Sequence, residues 1–510
     1  MMATRLPCAP SKRLCQCLRR QFSSSPVKHQ TRRPPTAPKP IPNVRHIRDN
    51  PDLYSNNSID RDYAACAEYP HRIVQLAQET VRLSESIKEP RAKLKEIERS
   101  IGQLAAGGGA EKNAEQIASL RQEAQKLKAD SEEAVRRKEE LEDEIQRLAL
   151  ALPNLSHPTT PRGDSPQLVS YLNFDPNKPP SWVSQRTEDR SHVTIGTRLG
   201  LIDFTSSNAT TGWGWYFLTN EGALLEQALV NYAISVALRH GWKAVSPPSM
   251  VYSYITEACG YQPRDQHGEQ QIWAIEQSEK DKVKPQRSLA GTAEIPLAAM
   301  YAGRDIPVTS LPVKLVGASR CYRAEAGARG VDTKGLYRVH EFTKVELFGW
   351  ADRATDSTTS SPQTDELYDE LLQIQTVILS SLGLPCRVLE MPTGDLGASA
   401  TRKRDIEVLF PSRLRVDDGG KPDLETAWGE VTSASICGDY QTRRLGTRTR
   451  DVNGKNPRYP HTVNGTAMAV PRVLAAILEN GWDEARGVVV VPEVLRPWMG
   501  GLEVIGGKLG

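Results

Sequence analysis

Residues 335–346 read GLYRVHEFTKVE, and this stretch decides the fold. Its polar side chains lead directly into Val345–Gly349, which is apolar enough to be a buried strand. Further strand candidates are Val313–Val316 and Val488–Val491, and Leu224–Leu238 is a helix candidate. Polar segments with strand-like flanks indicate an open antiparallel site. No GxGxxG follows a strand and no GxxxxGK[ST] occurs, so dinucleotide-binding and P-loop folds are disfavoured.

Similar polar blocks surround this stretch on both sides. They read TAE at 292–294, RCYRAEAG at 320–327, EVTSAS at 430–435, DYQTRR at 439–444 and NGTAMAVPR at 464–472. Guanidinium groups suit phosphates and carboxylates, carboxylates suit Mg²⁺ and ammonium groups, and the ring of Phe342 can stack on a base. The set favours activation of a carboxylate by ATP. A single arginine or glutamate of this kind is more often part of a surface ion pair, so the prediction depends on the whole set.

Two runs of apolar residues at 3–4 spacing lie upstream. The first extends from Ile73 to Leu104 and the second from Ile117 to Leu148, with Gly107-Gly108-Gly109 between them. This pattern predicts an antiparallel coiled-coil hairpin. At about 1.5 Å per residue, each arm of roughly 35 residues is on the order of 50 Å long. Pro90 falls inside the first run and is expected to kink or split that helix.

Such an arm is too thin to enclose a pocket, so it either dimerises or reaches a distant partner. Its exposed faces carry many basic residues, but glutamates are about equally frequent. A solvated charged face is therefore as good an interpretation as a binding surface, as far as charge alone can decide.

The 510 residues carry 65 basic and 62 acidic side chains, a formal charge of +3. Residues 1–48 contain 11 of the basic residues and none of the acidic ones, so the rest has 54 basic against 62 acidic, or about −8. An Arg-rich, Ser-rich, acid-free start without an apolar run is typical of an organelle transit peptide. A basic tail that binds nucleic acid is the alternative. Residues 31–48 are Pro-rich and are expected to form an extended spacer.

The remaining composition excludes several classes. No run approaches the 18 or so apolar residues that a membrane helix needs, which argues against a membrane protein. The eight cysteines include no CxxC pair and no Cys/His cluster with zinc spacing, so we expect reduced thiols and no structural zinc.

Taken together, the blocks resemble the seryl-tRNA synthetases, which are class II aminoacyl-tRNA synthetases, over nearly everything from the hairpin to PEVLRP at 492–497. The stretch from Gly241-Trp242 to Pro247-Pro248 resembles the first class motif, and Pro248 would lie at a homodimer interface. Residues 323–325 resemble the second motif and residues 465–472 the third. The TAE triplet at 292–294 is specific to the seryl branch.

The resemblance implies an α+β fold in which the N-terminal hairpin precedes a six- or seven-stranded antiparallel sheet flanked by helices. The resemblance also implies that the hairpin binds the long variable arm of tRNA(Ser). With the leader, it implies ATP-dependent attachment of L-serine to tRNA(Ser) through a seryl-adenylate in the mitochondrial matrix. The expected domains are a mitochondrial leader and spacer (1–48), a tRNA-binding hairpin (49–155), a linker (156–200) and a catalytic domain (201–510).

Carried over residue by residue, the resemblance also implies the site. The catalytic residues would be Arg323, Glu325 and Arg472. Serine would be bound by Thr292, Ala293, Glu294, Arg323, Glu346, Asn464 and Thr466. ATP would be bound by Arg323, Ala324, Glu325, Val339, His340, Glu341, Phe342, Glu430, Val431, Thr432, Ser433 and Arg472. Mg²⁺ would be held by Glu430 and Ser433, with no zinc, and residues 327–334 would form the loop that meets the acceptor end.

Some positions depart from the family pattern. Ile436 stands where the family has an asparagine and Glu341 where it has a glutamine, and residues 353–366 suggest an inserted polar loop. None of these changes removes an arginine or glutamate central to the chemistry, so we expect an active enzyme. The alternatives are a catalytically inactive RNA-binding paralogue, a ligase that charges a carrier protein, and a coiled-coil scaffold.

Overall fold

The computed structural model describes residues 32–106, 113–184, 190–261, 271–324, 335–353, 359–417, 419–451 and 453–506. The helices are α1 (Val44–Asp49), α2 (Pro51–Asp60), α3 (Tyr69–Ala106), α4 (Ala114–Ala151), α5 (His192–Arg198), α6 (Phe204–Thr210), α7 (Asn220–Arg239), α8 (Ser253–Ala258), α9 (Glu294–Ala298), α10 (Pro362–Ser381), α11 (Tyr440–Leu445) and α12 (Val470–Asn480).

The strands are β1 (Gln167–Leu172), β2 (Ile202–Asp203), β3 (Phe217–Leu218), β4 (Lys243–Val245), β5 (Met250–Tyr252), β6 (Arg287–Leu289), β7 (Asp305–Pro307), β8 (Val313–Tyr322), β9 (Glu341–Ala351), β10 (Cys386–Glu390), β11 (Arg402–Leu409), β12 (Arg415–Val416), β13 (Pro422–Asp423), β14 (Trp428–Gly438), β15 (Arg448–Arg450), β16 (His461–Ala469), β17 (Trp482–Asp483), β18 (Val488–Val490) and β19 (Val504–Gly506). Within the described ranges, no helix has the combination of length and apolarity that crossing a membrane requires.

The predicted hairpin is confirmed as the antiparallel pair α3 and α4, each 38 residues long. Its buried seam follows the predicted apolar positions, including Ile73 and Leu76 in α3 and Leu141 and Leu148 in α4. At about 1.5 Å per residue each helix spans roughly 57 Å. The glycine turn between them lies outside the described residues.

Pro90 does not split α3, which continues through it as one helix. A proline removes one hydrogen bond, here to the carbonyl of Ser86 one turn earlier. Ser86 is exposed, so water can satisfy that carbonyl, and the neighbouring turns remain paired with α4. Of the predicted kink or split, the split was wrong for this reason.

The base of the hairpin has its own apolar core. Ile47 of α1 and Tyr54 of α2 pack against the inner ends of α3 and α4, in a cluster that contains Ile73, Leu76 and Leu148. Hydrogen bonds also join this base to the C-terminal domain: Arg61, directly after α2, donates to the Ala400 carbonyl (2.9 Å), and Arg444 donates to the Leu150 carbonyl (3.1 Å). The extended spacer expected at residues 31–48 is wrong at its end, since residues 44–48 belong to α1. Within residues 32–43, which precede α1, the Ile41 amide donates to the Arg443 carbonyl (2.9 Å).

An eight-stranded sheet forms the centre of the C-terminal domain, in the order β1-β10-β11-β14-β16-β9-β8-β4. Every neighbouring pair is antiparallel except β4 and β8 at one edge, which are parallel. The predicted antiparallel site is therefore confirmed. The sheet has more strands than the resemblance implies because β1, from the segment 156–200 expected as a linker, extends its other edge.

The helices α7, α10 and α12 cover one face of the sheet and enclose the main apolar core. Gly465 of β16 allows this close packing, since a Cβ there would lie 2.5 Å from the Leu371 side chain of α10. The other face carries α8, α9 and α11 over part of its area and is otherwise open. The functional cavity is on that open face.

The polar segment 353–366 is only partly a loop. Residues 354–358 lie outside the described residues, but α10 already begins at Pro362. The Ser361 side chain accepts a hydrogen bond from the Thr364 amide and so caps the helix, and Pro362 suits the first helical position. The expectation of a loop up to residue 366 was wrong because composition concealed these helix-start signals.

Candidate active site

Strand β9 supplies three side chains to one cavity through simple alternation. Phe342, Lys344 and Glu346 face the open side of the sheet and line the cavity. Val345 and Leu347 point the other way, into the core beneath α7 and α12. Successive residues of a strand face opposite sides, so a polar site and a buried core share one strand.

The cavity has a volume of about 650 Å³. It brings together twelve of the residues predicted for the site. They are Glu294, Arg323, Val339, Phe342, Glu346, Glu430, Val431, Thr432, Ser433, Asn464, Thr466 and Arg472.

One end of the cavity is acidic and is built around Glu294 at the start of α9. The Tyr261 hydroxyl donates to its Oε2 (3.0 Å), and the Gln441 amide donates to its Oε1 (2.6 Å). The Thr462 hydroxyl donates to Gln441 Oε1 (2.6 Å), which fixes the orientation of that amide. Burial, and then the charge of Glu346, raise the pKa of Glu294 to about 7.

Glu346 is the second carboxylate of this end. Lys344 Nζ lies 2.7 Å from its Oε2, and both side chains are buried. The Thr466 hydroxyl on β16, the strand paired with β9, donates to the same oxygen (3.4 Å). Two carboxylates facing one lysine leave a single negative charge when both are ionised, which complements an ammonium group.

The opposite end carries the arginines. Arg323 follows β8, and its guanidinium lies over the ring of Phe342, 5.4 Å from the ring centre. Arg472 on α12 contacts Glu430 through Nη1, 3.3 Å from Oε2, and its Nε donates to the Tyr337 carbonyl (3.3 Å). Both guanidinium groups can bind phosphate or carboxylate oxygens.

An irregularity in β14 allows Glu430 and Ser433 to share the cavity side of the sheet. In the pairing with β11, Glu430 is opposite Glu407 and Thr432 is opposite Ile406, which leaves Val431 as an extra residue. Without this bulge, residues three apart would face opposite sides. Desolvation within the cavity acts to raise the pKa of Glu430, but the charges of Arg472, Lys403 and Arg323 together outweigh it and lower that pKa.

Lys403 links the arginine end to two further acids. Its ammonium lies 2.8 Å from Asp395 and 2.9 Å from Asp405. Burial, and then the charge of Glu430, raise the pKa of Asp405. Among the carboxylates of this end, Glu430 is the one paired with Arg472.

The wall at residues 336–339 is held from behind by a buried histidine. His192 Nε2 accepts from the Leu336 amide (3.0 Å), so its Nδ1 carries the proton and donates to Glu479 (2.7 Å). The Glu479 carboxylate is fully buried and is also bonded by Ser412.

Several predicted residues lie beside the cavity rather than on it. Thr292 is buried, and its hydroxyl accepts from the Glu294 amide (3.3 Å). Ala293 packs into the core under α8. The Ala324 amide donates to the Gln271 carbonyl. The His340 ring packs against three tryptophans, Trp213, Trp215 and Trp273. The Glu341 carboxylate faces the Arg320 guanidinium. Glu325 and the loop 327–334 lie outside the described residues.

Four residues of the cavity network were not predicted. Lys344 and Gln441 lie inside quoted motifs, and the alternation of Phe342, Lys344 and Glu346 along a strand could have identified the lysine. Tyr261 and Lys403 lie in no motif, and only the tertiary fold brings them to Glu294 and Glu430. The buried Ile436, where the family has an asparagine, packs in the main core and does not line the cavity, and its carbonyl accepts from the Thr401 amide.

The arrangement suits one kind of reaction. An amino acid can place its ammonium group at Glu294 and Glu346 and its carboxylate towards Arg323. A nucleoside triphosphate can place its phosphates between Arg323, Arg472 and Glu430. Among the described residues, no group of three or more His, Cys, Asp or Glu could hold a metal ion by itself.

The fold and this two-ended cavity define a class II aminoacyl-tRNA synthetase. The class II tRNA synthetase core domain (G, H, P, S and T) matches residues 277–481. The seryl-tRNA synthetase N-terminal domain matches residues 43–156.

Individual relatives narrow the class to one family. The mitochondrial serine–tRNA ligase of Saccharomyces cerevisiae is 43% identical over 72% of this chain and 75% of its own length. The serine–tRNA ligase of Rubrobacter xylanophilus is 36% identical over 91% and 98%. The solved seryl-tRNA synthetase of Pyrococcus horikoshii, complexed with ATP, aligns with a TM-score of 0.74 at 29% identity over 91% of this chain and 98% of that one. The chain belongs to the seryl-tRNA synthetases.

Proposed function

We propose that this chain joins L-serine to tRNA(Ser) in mitochondria, with ATP as the energy source and seryl-adenylate as the intermediate. Serine–tRNA ligase activity follows from the family, and ATP is bound by a solved relative. The observation that carries the residue assignments is the two-ended cavity, with an ammonium site at Glu294 and Glu346 and an anion site at Arg323 and Arg472. An inactive paralogue would not need to keep both ends.

In the first step a carboxylate oxygen of serine attacks the α-phosphorus of ATP. A new P–O bond forms, the bond to the bridging oxygen breaks, and pyrophosphate leaves. Two anions must approach each other, so Arg323 contributes by positioning both and by stabilising the charge of the transition state. No proton transfer is required of the protein.

Phe342 and Arg472 are the proposed contacts of the nucleotide. The base stacks on the Phe342 ring, which requires the Arg323 guanidinium to slide towards the phosphates. Val339 forms the adjoining wall, and Arg472 covers the base or reaches the γ-phosphate. In the second step a hydroxyl oxygen of the terminal ribose of the tRNA attacks the acyl carbon and forms the ester bond. The bond from that carbon to the phosphate oxygen breaks, AMP leaves, and the hydroxyl proton passes to the departing phosphate or to water.

Serine selection rests on hydrogen bonds to a small side chain. Glu294, Glu346 and Thr466 are the proposed contacts of the ammonium and hydroxyl groups, with Asn464 nearby. A site built to bond a hydroxyl rejects an analogue without it, because the buried polar groups would then lack partners.

Glu430 and Ser433 fit a magnesium ion. Glu430 is a carboxylate of low pKa, Ser433 adds a neutral oxygen from the same side of β14, and oxygen is the ligand atom that Mg²⁺ prefers. The other coordination positions would be left to phosphate oxygens and water. When bound, the ion would neutralise phosphate charge and orient the triphosphate.

The hairpin α3–α4 is the proposed grip on the variable arm of tRNA(Ser), and residues 1–48 are the proposed mitochondrial targeting leader and spacer. We also propose a homodimer through the catalytic domain, with Pro248 between β4 and β5 at its interface. Light scattering of the purified chain checks the dimer, and the mature N-terminus of protein isolated from mitochondria checks the leader.

Two assays on one preparation test the function. Serine-dependent ATP–pyrophosphate exchange measures the first step, and charging of a tRNA(Ser) transcript measures both. We expect both activities. Absence of exchange from folded protein would contradict the enzyme assignment, and exchange without charging would favour a ligase for another acceptor.

A further inference from the structure

Arg61, directly after α2 at the base of the hairpin, is a buried cation whose hydrogen bonds, within the described ranges, all go to backbone carbonyls. Its side chain is 1% exposed. Nη1 donates to Asn154 O and Ala400 O, and Nη2 donates to Gly397 O and, at 3.5 Å, to Leu396 O. Burial lowers the pKa of Arg61 to about 10. Burying a cation without a bonded carboxylate is costly, which suggests a role beyond joining two surfaces.

Two of these four carbonyls, those of Gly397 and Ala400, belong to one wall of the catalytic cavity, and Leu396 directly precedes that wall. Residues 397–400 line the cavity, and Arg61 bonds both ends of that stretch. Asn154, just beyond α4, binds the middle of that stretch. Its backbone N–H donates to the Ala398 carbonyl (2.8 Å), and its side-chain Nδ2 donates to the Ser399 carbonyl (2.9 Å). Tyr63, two residues after Arg61, itself lines the cavity.

The wall leads to the acidic end. Ser399 packs against Gly260, where a Cβ would lie 3.3 Å from three Ser399 atoms and where φ is +96°. Only glycine suits this conformation and this close approach. The next residue, Tyr261, donates to Glu294 (3.0 Å). A continuous set of contacts therefore runs from Arg61 through the wall and Tyr261 to Glu294.

We propose that Arg61 is a positioning residue of the serine site, which holds the 397–400 wall so that Tyr261 and Glu294 keep the geometry that binds serine. The N-terminal domain is then part of the amino-acid site as well as the support of the hairpin. This inference rests on the proposed function, because it assigns Arg61 to the end of the cavity that binds serine.

Arg61→Met in the full chain is the principal test, since methionine fills much of the space and donates no hydrogen bond. We expect the KM for serine in pyrophosphate exchange to rise about tenfold, because small displacements of binding groups are costly, while the KM for ATP changes less than twofold. Arg61→Lys keeps the charge but loses the two-pronged guanidinium. Its KM for serine should therefore lie between that of the wild type and that of Arg61→Met.

Arg444→Met is the matched control. Arg444 is a second buried arginine at the same joint, but its guanidinium donates to the carbonyls of Leu150 and Tyr440 and to none of residues 396–400. We expect a lower Tm with both KM values unchanged. If Arg61→Met does not fold, Asn154→Ala removes the other clamp on the wall and should reproduce the selective rise in the KM for serine.

The outcomes separate this inference from the function beneath it. Wild-type protein without serine-dependent exchange would refute the proposed function. Active wild type with an Arg61→Met variant that changes no kinetic constant, or that changes serine and ATP constants equally as a general loss of folded protein would, refutes the positioning role alone. An Arg61→Lys variant indistinguishable from wild type would show that charge, not the hydrogen-bonded wall, is what matters.

Discussion

The hairpin and the sheet differ in how much of their surface is buried. Six of the 38 residues of α3 are buried, whereas eight of the 11 residues of β9 are buried. A helix pair with one buried seam leaves most of its surface available for contact but encloses no cavity. The sheet buries its apolar face under three helices and can therefore hold polar groups in fixed positions on the other face. Reach and chemistry are thus divided between two regions that meet at Arg61 and Asn154.

If the chemistry belongs to the sheet and not to the hairpin, the largest loss of activity should follow substitution of Arg323. Arg323→Met should lower the rate of pyrophosphate exchange roughly 10³-fold, as expected when a preorganised cation is removed from a developing charge. The Tm should change little. Arg320→Met, three residues earlier on β8 and about half exposed, is the control and should keep most of the activity. Equal losses in the two variants would mean that Arg323 has no special place in the reaction.

The second effect lies in the arm. Replacing residues 84–133 by a short Gly/Ser turn removes the outer hairpin but keeps the core at its base, including Leu76 and Leu141. Because most of the affinity for RNA comes from phosphate contacts, charging of tRNA(Ser) should fall at least about 100-fold. Exchange should stay within about twofold of the intact chain. If charging survives, the hairpin is not the tRNA grip.

The third effect is a pH dependence of the amino-acid end. Glu294 has a pKa of about 7, so it is neutral below that pH and can attract the serine ammonium group only above it. The kcat/KM for serine reports the free enzyme, and it should rise with pH below about 7 and then level off. Glu294→Gln cannot ionise and should have a lower kcat/KM with a flat profile in this range. An unchanged profile in the variant would assign the titration to another group.

The smallest effect is expected at Pro90. Pro90→Ala restores a hydrogen bond within α3 and should stabilise that helix, by up to about 3 kcal/mol if the site behaves as a helix interior. Charging and exchange should both stay within about twofold, because the helix is already continuous. A large gain in charging would show that Pro90 gives the arm a bend that limits its reach.

The sequence predicted most of the arm and twelve of the residues that line the cavity, for different physical reasons. Apolar spacing was enough to predict α3 and α4, since apolar residues every three or four positions form one face of a helix and do not fit a strand. The polar blocks identified Arg323, Glu346 and Glu430 because these residues stand within local motifs. Tyr261 and Arg61 could not be found in this way, since each acts through contacts with residues more than 25 positions away in the chain. Lys403 contacts the nearby Asp395 and Asp405, but only the pairing of β11 with β14 brings it close to Glu430. Two local predictions failed. The loop predicted up to residue 366 ends earlier because Ser361 caps α10, and Pro90 does not split α3 because the carbonyl of the exposed Ser86 can bond to water.

The central claim is that the cavity activates serine, and a panel of amino acids in ATP–pyrophosphate exchange tests it most directly. We predict exchange with serine that exceeds exchange with alanine by about 10⁴-fold, the discrimination available to a site that bonds a hydroxyl group. Threonine should be excluded by the size of the site. Exchange that is stronger with any other amino acid than with serine, or no exchange with any of them, would contradict the account.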